Sequence, residues 1–239
     1  MWAINKAYIC LLFIWFVYLG FAKNGYAQEI RERYLEYDAQ YGLNTQIYKG
    51  SKYIKEHQQD FGYPFLFQET SIVGRVISSQ FKLDSVELQY DIYKQFLVFS
   101  FYDQIGSKQQ LVLNSAEIRE FYLGNNCFVQ NKNKNINVAY LHRLVNDSIK
   151  CYLTYRKDYK QISNNSKKGF GYTDELRKIY LNVHTDYFLI SGKKQLLTNL
   201  PEHIQSEVKE YLASTKFNFR KANVLQITEL FIFINSSLR

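Results

Sequence analysis

The stretch from Ser85 to Tyr102 limits the folds open to this chain more than any other part of its sequence. Its first half alternates apolar and polar side chains, which is the pattern of a strand with one buried and one solvated face. The apolar positions are Val86, Leu88, Tyr90 and Ile92, and Asp91 falls on the solvated face. Residues 96–102 are apolar on both faces, which is typical of a strand deep in a sheet. The stretch therefore predicts a central antiparallel hairpin that turns at Lys94-Gln95.

Short strands separated by turn residues continue along the chain on both sides of this hairpin. A second hairpin is predicted from Val138 to Tyr155, where two strands flank an Asn146-Asp147 turn suited to positive φ. Other strands are predicted over residues 72–78, 110–113, 117–123, 127–130, 179–183 and 187–190. Residues 163–171 are rich in serine, asparagine and glycine and predict an open loop. Residues 193–197 are predicted as a last extended segment after a Ser191-Gly192 turn.

The period of the apolar residues changes near the C-terminus. Pro201 suits a first helical position, and two sets of apolar residues follow it at helical spacing. The sets are Ile204, Val208, Tyr211 and Leu212, then Val224, Ile227, Leu230, Phe231 and Ile234. The sequence thus predicts a mainly β (α+β) protein, with a curved antiparallel meander sheet or partial barrel and two C-terminal amphipathic helices.

The N-terminus has the pattern of a cleaved secretion signal. Lys6 precedes an apolar run from Ala7 to Ala22, and small residues lead to a predicted cleavage site between Ala27 and Gln28. The run is shorter than the roughly 20 residues that span a bilayer, so we expect no transmembrane segment in the mature chain. The protein is therefore expected to be exported, and to be periplasmic or associated with the outer membrane.

Four parts of the chain follow from these patterns. They are a signal peptide at 1–27, an N-terminal arm with edge segments at 28–70, an antiparallel β domain at 71–197, and a helical pair packed on the sheet at 198–239. Gly62 to Phe67 belongs to the second part, and Pro64 excludes it from a central strand because proline has no N–H to donate.

The formal net charge of +8 is spread along the chain. Nucleic-acid binding requires basic residues gathered on one element, so we expect no nucleic-acid partner. The densest basic cluster, from Arg156 to Lys160, is a candidate contact for an anionic lipid or glycan of the envelope.

No residue pattern indicates catalysis or a built-in metal or cofactor site. The histidines His57, His142, His184 and His203 are isolated from one another, and we interpret His142 and His184 as structural or surface residues. Asp84, Glu87 and Asp91 crowd one stretch, but two of them fall on the solvated face of a strand rather than converging on a pocket. We therefore predict a protein that is not an enzyme, with no cofactor.

Cys127 and Cys151 are the cysteines that remain after signal cleavage. Export makes a disulfide between them chemically possible. Each lies in an apolar context, however, and two small buried hydrophobic side chains are the favoured interpretation.

The aromatic fraction of 17% is compatible with two hypotheses about function. Aromatic side chains commonly fill β cores, which favours a structural or binding module with a solid core. A curved sheet with a helical lid also encloses a cavity in some proteins, so the alternative is a carrier of a lipid or another apolar ligand. A third and weaker alternative is a hydrolase of envelope polymers.

Three motifs give the chain a resemblance to known sequences. GYPFLF at Gly62–Phe67, LQYDIY-x-x-FLVF at Leu88–Phe99 and the helical pair after Lys193-Lys194 resemble a family of uncharacterised secreted proteins of Bacteroidota-type bacteria. The resemblance implies export and no assigned activity. It also implies O-glycosylation, because such bacteria modify Ser or Thr between Asp and an aliphatic residue. Ser85 and Ser148 match that pattern.

Overall fold

The computed structural model describes residues 50–57, 61–102, 106–164 and 167–239, and within them it is a mainly β protein with helices near the C-terminus. The predicted fold class is confirmed. The strands of the large sheet are β1 (Ser51–Lys52), β2 (Ile72–Ser78), β3 (Lys82–Asp91), β4 (Phe96–Tyr102), β5 (Lys108–Val112), β6 (Ile118–Leu123), β7 (Asn126–Gln130), β8 (Tyr140–Val145), β9 (Ile149–Arg156), β12 (Leu176–Val183) and β13 (Asp186–Ile190). A separate hairpin consists of β10 (Tyr159–Asn164) and β11 (Lys167–Tyr172). The helices are α1 (Lys193–Thr198), α2 (Glu202–Ser214) and α3 (Val224–Ser236).

The large sheet consists of two meanders that meet at one strand pair. Its order is β1-β5-β4-β3-β2-β6-β7-β8-β9-β12-β13, and every neighbouring pair is antiparallel. The pairing of β2 with β6 joins the two meanders. The sheet does not close, since β1 and β13 lie at opposite ends of this order.

The central hairpin is confirmed. β3 pairs with β4 through Glu87–Asp91, and the chain reverses at residues 92–95, where Gln95 has a φ of 63°. Residues 97–100 of β4 are all buried, as a strand that is apolar on both faces requires.

The sheet is strongly curved. β3 and β8 are four strands apart, so in a flat sheet they would be separated by about 19 Å. The rings of Tyr90 on β3 and Tyr140 on β8 are nevertheless only 5.7 Å apart between centroids. At the tip of the central hairpin, Gln95 Nε2 donates to the Tyr155 carbonyl of β9 at 3.1 Å. The two meanders therefore curl toward each other around a concave face.

Aromatic rings fill this concave face. Phe121 and Phe128 stack at 4.8 Å between centroids, Tyr90 meets both of them edge to face, and Tyr140 meets Phe121 edge to face. His142 stacks on the other side of Phe128 at 4.7 Å. We name these five side chains the ring core.

The opposite face of β3 and β4 is covered by the segment between β1 and β2. The side chains of Tyr53 and Phe65 pack with Val98 of β4 in a second buried cluster. The Leu66 N–H donates to the Tyr90 carbonyl at 2.9 Å, and the Pro64 carbonyl accepts from the Ile92 N–H at 3.0 Å. Both faces of the central hairpin are therefore buried at this end.

Two local predictions were wrong. Residues 193–197 form α1 rather than an extended segment, because Leu196 is fully buried and the helical spacing brings it to the core. Residues 163–171 belong largely to the β10–β11 hairpin rather than to an open loop. Gly171 allows Phe61 to lie against β11, since a Cβ there would lie 2.8 Å from the Phe61 carbonyl oxygen, and the backbone of Phe61 bonds to Phe170 and Tyr172 on both sides of it.

Helix α3 is attached to β9 by one buried amide. Asn235 Oδ1 accepts from the Ile149 N–H at 2.9 Å, and its Nδ2 donates to the Ile149 carbonyl at 2.8 Å. At the other end of the helix, Asn223 and Gln226 form a reciprocal capping box.

We expect Asn235→Ala to lower the free energy of unfolding by about 2 kcal/mol, because both backbone groups of Ile149 lose their buried partner. Urea denaturation measures this change. Ile232→Ala is the control on the same helix, because Ile232 is exposed and its truncation should cost less than about 0.5 kcal/mol. Equal losses in the two variants would contradict the role of Asn235.

Candidate functional site

The edge of β12 is open where its neighbour ends. β12 pairs with β9 along its whole length, from Leu176 opposite Arg156 to Val183 opposite Ile149. β13 covers only the second part of the other edge, since its last residue, Ile190, lies opposite Ile179. The chain then turns away at Ser191 into α1. Residues 176–178 therefore have a strand on one side only within the described chain.

A groove lies along this open edge, and we name it the β12 groove. Its volume is about 740 Å³. It is lined by Glu175, Leu176, Arg177, Lys178, Ile179, Leu189, Ile190, Ser191, Phe219 and Arg220. Leu176 and Leu189 are 52% and 45% exposed, so the groove offers apolar surface to solvent.

The connection between α2 and α3 forms the far wall of the groove. The side chain of Asn218 accepts from the Arg220 N–H at 3.0 Å and fixes the turn that presents Phe219 and Arg220. The Arg177 guanidinium donates to the Ala222 carbonyl, which joins this connection to β12. The sequence thus builds the wall from two elements that are distant along the chain.

The charge of the groove is mainly positive. Lys178 and Arg220 are exposed, and neither side chain forms an ion pair within the described part of the chain. Glu175 is the acidic residue among those that line it. An anionic group entering the groove would meet these two exposed cations, in addition to the half-buried Arg177.

Asp91 is a buried carboxylate, which corrects the prediction that it lies on a solvated face. Only 1% of its surface is exposed. The Tyr53 hydroxyl donates to Oδ2 at 2.8 Å, and the N–H groups of Tyr93 and Lys94 donate to Oδ1 at 2.9 and 2.8 Å. Desolvation raises the pKa of Asp91, and these three hydrogen bonds oppose the rise. The carboxylate anchors the turn of the central hairpin.

Lys157 is likewise a structural residue rather than part of a free basic surface. Its Nζ donates to the carbonyls of Tyr63 and Phe65 at 2.9 and 3.1 Å, and it lies 4.2 Å from the centre of the Tyr63 ring. Burial lowers the pKa of Lys157. The basic cluster predicted from Arg156 to Lys160 is thereby divided, with Arg156 and Lys160 exposed and Lys157 engaged.

His142 is buried in the ring core. Its Nδ1 lies 3.0 Å from the Tyr155 hydroxyl, and only 2% of its surface is exposed. Desolvation lowers the pKa of His142 to about 4, so the imidazole is neutral at physiological pH. This position agrees with the interpretation of His142 as a structural residue. His184 is exposed at the β12–β13 turn, as a surface residue would be.

Both cysteines are free thiols. Cys127 lies opposite Arg143, which lies opposite Tyr152, so these three side chains share one face of the sheet. Cys151 precedes Tyr152 and points to the other face, which separates the two thiols. Desolvation raises the pKa of both, so neither is an activated thiolate.

The remaining predicted site residues are the two candidate glycosylation serines and the signal cleavage site. Ser85 and Ser148 are both exposed, Ser85 with a φ of 57° and Ser148 in the β8–β9 turn. Ala27 and Gln28 lie outside the described residues, as does the whole predicted signal peptide. The structure does not bring the two serines together with the β12 groove.

Within the described residues, no group of three or more His, Cys, Asp or Glu is arranged to hold a metal ion. In that same part of the chain, no helix is long and apolar enough to cross a membrane.

Comparison of the chain with protein-family models, with curated proteins and with solved structures finds no match. The resemblance to secreted Bacteroidota-type proteins therefore stays a prediction that rests on its three motifs.

Sequence reasoning missed the β12 groove. Leu176 and Lys178 are ordinary strand residues in the sequence, and Phe219 and Arg220 lie in a turn more than 40 residues later. The sequence carried no signal of the open edge, because the strand predicted over residues 179–183 leaves out residues 176–178.

Proposed function

We propose that this protein is an exported, non-enzymatic binding module of the bacterial envelope, and that it takes its ligand at the β12 groove. The observation that carries the proposal is the open strand edge at Leu176–Lys178, which lies in a groove with exposed apolar and cationic side chains. Exposed apolar surface beside uncompensated charge is typical of an interaction site. Export rests on the pattern of residues 1–27.

The two alternatives have less support. A carrier needs room inside the concave face, but the ring core occupies that face between β3 and β8. A hydrolase needs carboxylates that converge on a cleft. Glu87 instead pairs with Lys108 at 2.7 Å, Asp84 pairs with Lys82 at 2.8 Å, and Asp91 is buried in its own hydrogen bonds.

Native mass spectrometry of protein purified from its host tests this proposal against the carrier. We expect a chain that begins at Gln28 and carries no lipid, because the ring core leaves the concave face filled. A lipid that is retained in every preparation would overturn the proposal in favour of a carrier. The same spectra test the modification of Ser85 and Ser148, since a bare mass would exclude glycosylation at both.

A further inference from the structure

We propose that the β12 groove binds an extended peptide segment rich in acidic residues, which adds a strand to the open edge of β12. This inference rests on the proposed function above and names the ligand class of that same site. Four features of the groove point to it: its backbone edge, its length, its apolar surface and its charge.

The backbone edge is a ready template for strand pairing. In an antiparallel sheet, successive residues direct their N–H and C=O groups alternately to the two neighbouring strands. Residues 176–178 pair with β9 on one side, and on the other side no backbone group of the described chain bonds to them. An unpaired edge of this kind accepts main-chain hydrogen bonds from an added strand.

The length of the edge fits a short segment. A strand rises about 3.4 Å per residue, so residues 176–178 offer about 10 Å of edge and match three or four peptide residues. The peptide would continue the line of β13 beyond Ile190, with Phe219 and Arg220 as its outer wall. A volume of about 740 Å³ lies within the usual range of ligand sites.

The apolar surface gives the peptide alternate side-chain contacts. Side chains of an added strand alternate between the two faces of the sheet. On one face, Leu176 and Leu189 offer exposed apolar surface. Leu176 and Lys178 also line a second depression of about 340 Å³, which Thr154 and Arg156 of β9 share. Apolar residues of the peptide would therefore contact Leu176 and Leu189 on this face, and Lys178 and Arg156 lie beside them.

The charge of the groove selects acidic over basic peptides. Lys178 and Arg220 flank the open edge without ion pairs, and Arg156 adds a third cation at the neighbouring depression. Glu175 and Asp158 oppose them only in part. Complementary charge of this kind contributes to the choice of partner more than to raw affinity.

A displayed library of random decapeptides, selected on the mature chain, provides the probe for this inference. We expect the selected peptides to alternate apolar and acidic residues. One selected peptide, synthesised with a fluorophore, is then measured by fluorescence anisotropy against the wild type, Lys178→Glu, Arg220→Glu and Lys209→Glu. The first two variants should weaken binding at least tenfold each. The control should not, because Lys209 is exposed on α2 and does not line the groove.

N-methylation of alternate residues of the same peptide separates strand addition from simple charge attraction. Methylation of the residues that face β12 should abolish binding, whereas methylation of the other set should not. Equal effects of the two sets, peptides of no common charge, or binding that is indifferent to Lys178 and Arg220 would overturn the inference. A dimer of the chain alone that Lys178→Glu abolishes would also overturn it, in favour of a second copy as the occupant. None of these failures adds a retained lipid to the native mass of the chain, so each is distinguishable from failure of the proposed function.

Discussion

The Asp91→Ala variant is expected to unfold with a free energy about 4 kcal/mol below that of the wild type, because three hydrogen-bond donors, one buried and two half-buried, lose a charged acceptor at once. The donors are the Tyr53 hydroxyl and the N–H groups of Tyr93 and Lys94. The two N–H groups belong to the turn of the central hairpin, and Tyr53 belongs to the segment that covers it. The substitution therefore loosens the turn and its cover together. Urea denaturation at pH 7 measures the loss.

Asp91→Asn is the matched control for this variant. Its side-chain oxygen still accepts from the two N–H groups, and its amide donates to the Tyr53 hydroxyl, so the free energy of unfolding should stay within about 1 kcal/mol of the wild type. A loss in Asp91→Asn equal to that in Asp91→Ala would show that the charge, and not the hydrogen bonds, is what the site requires.

The difference in the free energy of unfolding between the wild type and Asp91→Asn should depend on pH, and its direction follows from the pKa of Asp91. Burial raises the pKa of Asp91 in the folded protein, so the folded state holds this proton more tightly than the unfolded state does. The wild type should therefore gain stability relative to Asp91→Asn as the pH falls through the folded pKa, with the full gain present below the ordinary aspartate pKa. The gain is lost as the pH rises through the folded pKa.

Asp91 also illustrates what the sequence predicts and what it does not. The alternation from Val86 to Ile92 correctly separates Asp91 from Tyr90, and the two side chains do lie on opposite faces of β3. Alternation indicates only that the two faces of a strand differ, however. It does not indicate whether a segment that is distant in the sequence covers the polar face. The cover here comes from Tyr53 and Phe65, which are 38 and 26 residues earlier in the chain.

The fold could be predicted further than the site because strands and helices have local signals. The hairpins and the two longer helices follow from alternation, turn residues and helical spacing over short windows. The curvature of the sheet depends on contacts between distant strands, such as that of Tyr90 with Tyr140. The β12 groove depends on where β13 stops and on how the α2–α3 connection reaches Arg177. No short window of sequence contains either relation.

The buried His142 makes the stability of the protein sensitive to acid. Its pKa falls from an ordinary value of 6.5 to about 4 on folding, because the ring core desolvates the imidazole. Protonation therefore favours the unfolded state. The stability that the neutral side chain supports is complete above pH 6.5 and is lost as the pH falls toward 4, by about 3 kcal/mol in total.

His142→Gln removes this titration, because glutamine stays neutral at every pH and still offers a partner to the Tyr155 hydroxyl. We expect the free energy of unfolding of this variant, measured in urea at half-unit steps from pH 7 to pH 4, to fall about 3 kcal/mol less than that of the wild type. His184→Gln is the control, since it makes the same substitution at an exposed histidine and should keep the acid sensitivity of the wild type. Parallel pH profiles for the wild type and His142→Gln would mean that the ring core admits a charged imidazole. The concave face would then have to open in acid. A carrier could no longer be excluded on the ground that the ring core fills this face.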